Sequence, residues 1–193
     1  MRNLFYLTFL LIVWTETVHA VKVGFPAPPF TLPNTTGELI SLSDFKGKHV
    51  VLEWFNPDCV RVQGHYQQKT MRHLALDYMS QEVIWLAINS AHYMKQEDNI
   101  RWKEIYLLHY RLLSDFSGEV GELYQAETTP QMYVINPSGI LIYKGAIDDN
   151  YQEDNPRPSN HVQVALEESL AGLPVTQSET EPYGCLVKYA YDD

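Results

Sequence analysis

The sequence predicts one α/β domain, a three-layer α/β/α sandwich carrying an extra β-hairpin at its N-terminal end. Three observations point there. His49 to Phe55 and Glu82 to Asn89 are nearly continuous apolar runs rich in valine, isoleucine and aromatics, as expected of central strands covered on both faces. The stretch between them has loose helical spacing, so the pair reads as a parallel strand–helix–strand unit. Later the order changes: Gln131 to Asn136 and Leu141 to Gly145 flank the turn Pro137-Ser138-Gly139 as an antiparallel hairpin, and His161 to Ala171 follows as a helix.

The chain opens with a charged start, Met1-Arg2, an apolar run from Leu4 to Trp14, and small residues closing at Ala20. This is the pattern of a secretion signal cleaved before Val21, so residues 1–20 are set apart and residues 21–193 form the single domain. A run of about eleven residues is too short for a bilayer that needs around 20. After cleavage no membrane association is expected, and the destination is the periplasm or the extracellular space. The entry Val23 to Leu32 is extended because its prolines exclude helix. Asn34-Thr35-Thr36-Gly37 is a turn between Phe30-Leu32 and Leu39-Leu42, giving the extra hairpin. Val60 to Met79 reads as one long helix beginning just after Cys59, with Gly64 weakening its first turns. Gln96 to Tyr110 reads as a helix, Leu112-Leu113 as a short apolar segment, Gly118 to Tyr124 as a helix, and Asp148 to Asn160 as a polar loop.

Composition narrows the function. A net charge of −10 repels phosphate and argues against nucleic acid as a partner. With 45% hydrophobic and 12% aromatic residues the chain has material for a packed core. Cys59 and Cys185 are its two cysteines. In an oxidising compartment they form either a pair or two separate thiols. A bridge between them closes a loop of more than about a hundred residues, worth about 4 to 5 kcal/mol in the chain-entropy relation, so a static structural bridge stands beside a catalytic pair. Cys59 ends a strand and starts a helix, where unpaired backbone N–H groups and the helix dipole favour a thiolate. Arg61 adds positive potential if it turns toward the sulfur. Trp54, Phe55 and Pro57 are candidates for an apolar rim around the thiol, although Trp54 in a central strand also suits the core. The histidines stand at no recognisable metal spacing, so neither a metal nor another cofactor is expected. Asp148-Asp149 reads as solvated charge.

The order of elements is that of a thioredoxin fold. The spans Gly24–Leu32 (GFPAPPFTL), Ser41–Cys59 (SLSDFKGKHVVLEWFNPDC), Thr128–Gly139 (TTPQMYVINPSG) and Pro182–Tyr189 (PYGCLVKY) resemble the redoxin group that contains the alkyl hydroperoxide reductase/TSA and TlpA-type proteins. The resemblance covers essentially the whole mature chain. In thioredoxin relatives the redox motif is C-x-x-C, whereas here the loop reads C-V-R-V, with Val62 in the fourth place. The group commonly carries one loop cysteine, followed by proline and an aromatic. Val60 and Arg61 depart from that.

The resemblance also implies roles. A single loop thiol needs a second thiol from elsewhere to resolve a mixed disulfide, and Cys185 is the internal candidate. Glu53, six residues before Cys59, stands where thioredoxins keep a buried acid, whose pKa burial should raise. It either shuttles protons to the thiols or pairs with a cation such as Lys144. Thr129-Pro130 matches the cis-proline loop that faces the nucleophile and pairs with the substrate backbone. Asn56 and Pro57 complete the expected substrate-binding set with Arg61. The activity implied is exported thiol-disulfide exchange, with Cys59 attacking and Cys185 resolving. Its partners are protein or small-molecule disulfides and a thiol reductant. The alternative is a peroxiredoxin-like thiol peroxidase acting on peroxides. Peroxiredoxins carry threonine or serine three residues before the peroxidatic cysteine, where this chain has Asn56. A copper carrier of this fold uses two loop cysteines and a distant histidine, a poor match, and a redox-inactive binding module is the remaining class.

Overall fold

The computed structural model describes residues 21–152 and 154–191. The expected signal segment, residues 1–20, lies outside the described residues. Five strands form the central sheet: β3 (Val50–Trp54), β4 (Ile84–Asn89), β5 (Arg111–Ser114), β7 (Gln131–Ile135) and β8 (Leu141–Gly145), in the order β5-β4-β3-β7-β8. β3 runs parallel to β4 and β4 to β5, while β7 is antiparallel to both β3 and β8. The expected change from parallel units to an antiparallel hairpin is therefore the architecture observed, and the fold is thioredoxin-like.

Strand periodicity sorts the apolar residues onto two faces. Val51, Met132 and Val134 join one core cluster, which takes in Val62, Tyr66 and Met71 from α1 (Val60–Gln67) and α2 (Thr70–Asp77), and Val162 and Leu166 from α5 (His161–Leu170). Val50, Leu52, Trp54, Tyr133 and Ile135 join the other. There they meet Tyr124 of α4 (Glu119–Tyr124) and Leu32 and Ile40 of the N-terminal hairpin, β1 (Thr31–Pro33) and β2 (Leu39–Ser41). Every residue of β3 is buried, because each face of the strand is covered. Trp54 and Phe55 are both fully buried, which removes them from any rim around the thiol; the Trp54 indole donates to Ser90 Oγ at 3.1 Å.

Two expected helices are shorter than their sequence pattern. The stretch after Cys59 breaks into α1 and α2 because Lys69 adopts a left-handed backbone, φ 61°, between them. The helix at Gln96 ends at Ile105 as α3 (Gln96–Ile105), with Leu107 at φ 53° turning the chain toward β5. Apolar spacing continues through both breaks, so periodicity alone does not mark them. Past α5 the chain returns along the sheet edge. There β9 (Cys185–Leu186) pairs antiparallel with β6 (Thr128–Thr129), with Cys185 opposite Thr129. Among the described residues no helix is long and apolar enough to cross a membrane.

Leu52 lies at the centre of β3, opposite Leu86 on one side and Tyr133 on the other, with no exposed surface. Leu52→Ala leaves a cavity between covered faces and should cost about 2–5 kcal/mol. The check is a shift of the urea midpoint with the denaturant slope unchanged.

Candidate redox site at the cysteine loop and the C-terminal tail

The loop that follows β3 is built by Asn56. Its side-chain oxygen accepts the Asp58 N–H at 2.9 Å and its backbone carbonyl accepts the Cys59 N–H at 3.1 Å, a turn that brings Cys59 to the N-cap of α1. The Pro57 carbonyl accepts from the Gln63 side chain at 2.8 Å, and Tyr93 donates to Asp58 at 3.0 Å. Asn56 is 5% exposed and Pro57 is buried, so both shape the loop from inside. Arg61 lies half-buried at the first turn of α1, in a small cavity shared with His65, Asp148 and Tyr183.

Cys59 is bonded to Cys185 across 126 residues of sequence, with the two Cα atoms 5.7 Å apart. Cys59 Sγ also lies 3.1 Å from the Thr129 carbonyl oxygen, and the Thr129–Pro130 bond is cis. Thus Cys59, Cys185 and Thr129-Pro130, distant in sequence, meet at one point. Gly184, beside Cys185, permits the close approach to Thr129. Gly184 has φ 146°, and a Cβ built on it falls 2.1 Å from the Thr129 oxygen, inside any permitted contact.

The tail beyond the disulfide is docked by alternate side chains and backbone hydrogen bonds. Cys185, Val187 and Tyr189 turn inward while Leu186 and Lys188 face out. The Val187 N–H donates to the Glu127 carbonyl at 2.9 Å, the Lys188 carbonyl accepts from His92 N–H at 3.0 Å, and the Tyr189 hydroxyl donates to the Ala126 carbonyl at 2.7 Å. Gly118 and Gly121 make room for the Tyr189 side chain: a Cβ on Gly118 would stand 2.6 Å from the ring and one on Gly121 2.4 Å from the hydroxyl. Before the disulfide, Tyr183 donates to Asp148 Oδ1 and its hydroxyl lies 3.3 Å from His65 Nε2. Asp148 is 5% exposed and serves as an anchor for the tail, which corrects its reading as solvated charge.

Glu53 points into the helix-side core with no exposed surface. Tyr66 donates to its Oε1 at 2.7 Å, Trp85 Nε1 to its Oε2 at 2.8 Å, and Tyr110 to Oε2 at 3.4 Å, while the two tyrosine hydroxyls are 3.0 Å apart. Burial pushes the Glu53 carboxyl up to about 7, against the hydrogen bonds of Tyr66, Trp85 and Tyr110, which favour its charged form. Lys144 is not its partner; that ammonium stands 3.6 Å from Glu179. Tyr66 belongs to α1, the helix that Cys59 caps, so the carboxyl touches the site's helix through a tyrosine. The sequence assigns no role to Tyr66, Trp85 or Tyr110, and marks Tyr183, Gly184 and Tyr189 only as part of the Pro182–Tyr189 family pattern. A legible signal was present for one group: C-x-V-x-Y at positions 185–189 alternates as a half-buried strand does. Among the described residues no three His, Cys, Asp or Glu are grouped to hold a metal ion.

Fold and site together define a thioredoxin-like protein whose loop cysteine is joined to a strand-docked C-terminal tail. Residues 23–144 match the AhpC/TSA family, and the chain belongs to it. The thiol-disulfide oxidoreductase ResA of Bacillus subtilis (strain 168) is 27% identical over 125 residues, 64% of this chain and 66% of ResA. This chain thus spans just under two thirds of that relative. The Coxiella burnetii (strain RSA 493 / Nine Mile phase I) protein bcp, named as a peroxiredoxin, is 31% identical over 116 residues, 54% of this chain and 67% of bcp. Among solved structures, the protein SMc02350 of Sinorhizobium meliloti 1021 superposes with a TM-score of 0.80 at 23% identity, over 89% of this chain and 97% of that one. The family match holds Glu53, Cys59 and Thr129-Pro130 and stops before the tail that carries Cys185.

Two outcomes follow from this geometry. Glu53 ionises near 7 in the folded protein and near 4.5 when unfolded, so the folded state holds the extra proton between those values and loses stability as pH rises through them. Glu53→Gln should remove a pH-dependent loss on the order of 3 kcal/mol between pH 4.5 and 8, read from urea midpoints across that range. Gly184→Ala should loosen the tail and make the disulfide about tenfold or more easier to reduce in a glutathione redox buffer, since a strained backbone costs about 1–3 kcal/mol.

Proposed function

We propose that this protein is an exported thiol-disulfide oxidoreductase in which Cys59 supplies the reactive thiolate and Cys185 the second thiol. The observation that carries the reading is the Cys59–Cys185 bond at the start of α1, beside the cis-proline loop. A helix N-terminus stabilises a thiolate, which favours opening and closing of a bond placed there. The ResA similarity supports the same chemistry, and the apolar N-terminal segment supports export to the periplasm or the extracellular space. The partners in this reading are a protein or small-molecule disulfide and a thiol reductant. Glu53, with its raised pKa and its tyrosine contact to α1, is the group suited to hold or release a proton as the thiols change state. Thr129 lies against Cys59 and is joined to Pro130 by the cis bond, and Asn56, Pro57 and Arg61 belong to the loop and the first turn of α1; in this reading they act on substrate position by fixing where the thiol pair stands.

A second reading, a peroxiredoxin-like thiol peroxidase, draws on the similarity to bcp. It lacks an activating hydroxyl at Asn56, whose amide oxygen holds the loop turn instead.

The reduced protein should be reoxidised by a peptide disulfide at least about tenfold faster than by equimolar hydrogen peroxide, because attack on a disulfide needs no peroxide-activating hydroxyl. Stopped-flow loss of free thiols in each reagent measures this. The reverse order would transfer the assignment to the peroxidase, and inertness to both would leave a binding module.

A further inference from the structure

The two sulfurs of the crosslink have unequal surroundings. Cys59 retains 1% of its surface and belongs to the helix-side core. Cys185 is only partly buried, on a two-residue edge strand whose next residue, Leu186, is 66% exposed. Val60, beside Cys59, is 69% exposed, so the disulfide is bordered by two apolar side chains open to an incoming molecule.

Thiol-disulfide exchange is a displacement in which an incoming thiolate bonds to one sulfur while the other departs with the electron pair of the broken bond. Its rate depends on which sulfur can be reached and on which leaving thiolate is the more stable. Both conditions select the same sulfur here. The less buried cysteine is Cys185, and the better leaving group is Cys59, at the N-cap of α1 where the helix dipole favours negative charge.

We propose that the oxidised protein is opened at Cys185, so that the partner becomes covalently attached to the tail while Cys59 leaves as the thiolate held in the body. The assignment rests on the exchange reading above and replaces one part of it: Cys185, in place of Cys59, is the cysteine that meets the partner, while Cys59 is the stabilised thiolate that leaves and later recloses the bond. With a dithiol partner, the first partner thiolate bonds to Cys185 Sγ and the Cys59–Cys185 bond breaks. The second partner thiolate then attacks the first partner sulfur, closes the partner's disulfide and releases Cys185. Two electrons and two protons pass from the partner to Cys59 and Cys185. In the opposite direction the Cys185 thiolate attacks a partner disulfide. Cys59 then attacks Cys185 Sγ, reforming the crosslink and expelling the partner as a dithiol. Gly184 and the short β6–β9 pairing suit this role, since two residues of ladder are all that regular strand pairing must give up for Cys185 to move.

The test uses the oxidised mature protein and reduced glutathione as the probe thiol. Samples are quenched in acid within milliseconds, remaining thiols are blocked with N-ethylmaleimide, and peptide mass mapping reads which cysteine carries which group. Glutathione on Cys185 and maleimide on Cys59, in at least about tenfold excess over the opposite arrangement, is the expected result. Equal labelling, or an excess of glutathione on Cys59, overturns the assignment and leaves exchange itself standing. A disulfide that glutathione opens no faster than that of an unstructured peptide carrying the same two cysteines removes the exchange reading, and the assignment with it.

Discussion

The site depends on one contact between distant parts of the chain: the antiparallel pairing of Cys185 with Thr129 next to the loop that carries Cys59. Backbone pairing sets the height of Cys185 against the sheet edge, and the turn made by Asn56 sets the position of Cys59 at the helix start. The disulfide then joins two atoms that the backbone has already brought within reach, with 5.7 Å between Cα atoms. Gly184 is the residue on which this closeness turns, because the Thr129 carbonyl occupies the space of its missing Cβ.

A second constraint lies behind the first. β3 is buried on both faces, and one of its five side chains is a carboxyl. The fold tolerates Glu53 by surrounding it with hydroxyl and indole donors, where a cation would have held it charged. A carboxyl handled this way titrates near neutrality, where a salt-bridged one would stay ionised throughout. Tyr66 ties that titration to the helix whose first residue follows Cys59, so the acid and the thiol share a rigid element without touching.

Much of this was legible along the chain. The buried strands His49 to Phe55 and Glu82 to Asn89, the Pro137-Ser138-Gly139 hairpin and the closing helix all carry local signals of period, length and turn chemistry, and each appears within a few residues of its expected place. Cys59 was legible because a strand running into a helix is a local event. The breaks at Lys69 and Leu107 were not, since both are single left-handed residues inside continuing apolar patterns. Asp148 was misread for a related reason. Its neighbours Asp149 and Asn150 look like a solvated loop, whereas the folded chain buries Asp148 and brings the Tyr183 hydroxyl onto it from the tail.

What the sequence determined by itself is therefore the strand-and-helix order, the family pattern and the place of Cys59 where a strand runs into a helix, properties that depend on neighbours a few positions away. Tertiary structure decided which residues surround that thiol. The partners of Glu53 are Tyr66 of α1, Trp85 of β4 and Tyr110 just before β5, and Lys144 of the edge strand pairs elsewhere. The choice between Cys59 buried and Cys185 accessible was also made there, because burial is set by what packs against a side chain from remote parts of the chain. Local pattern carries no record of those encounters.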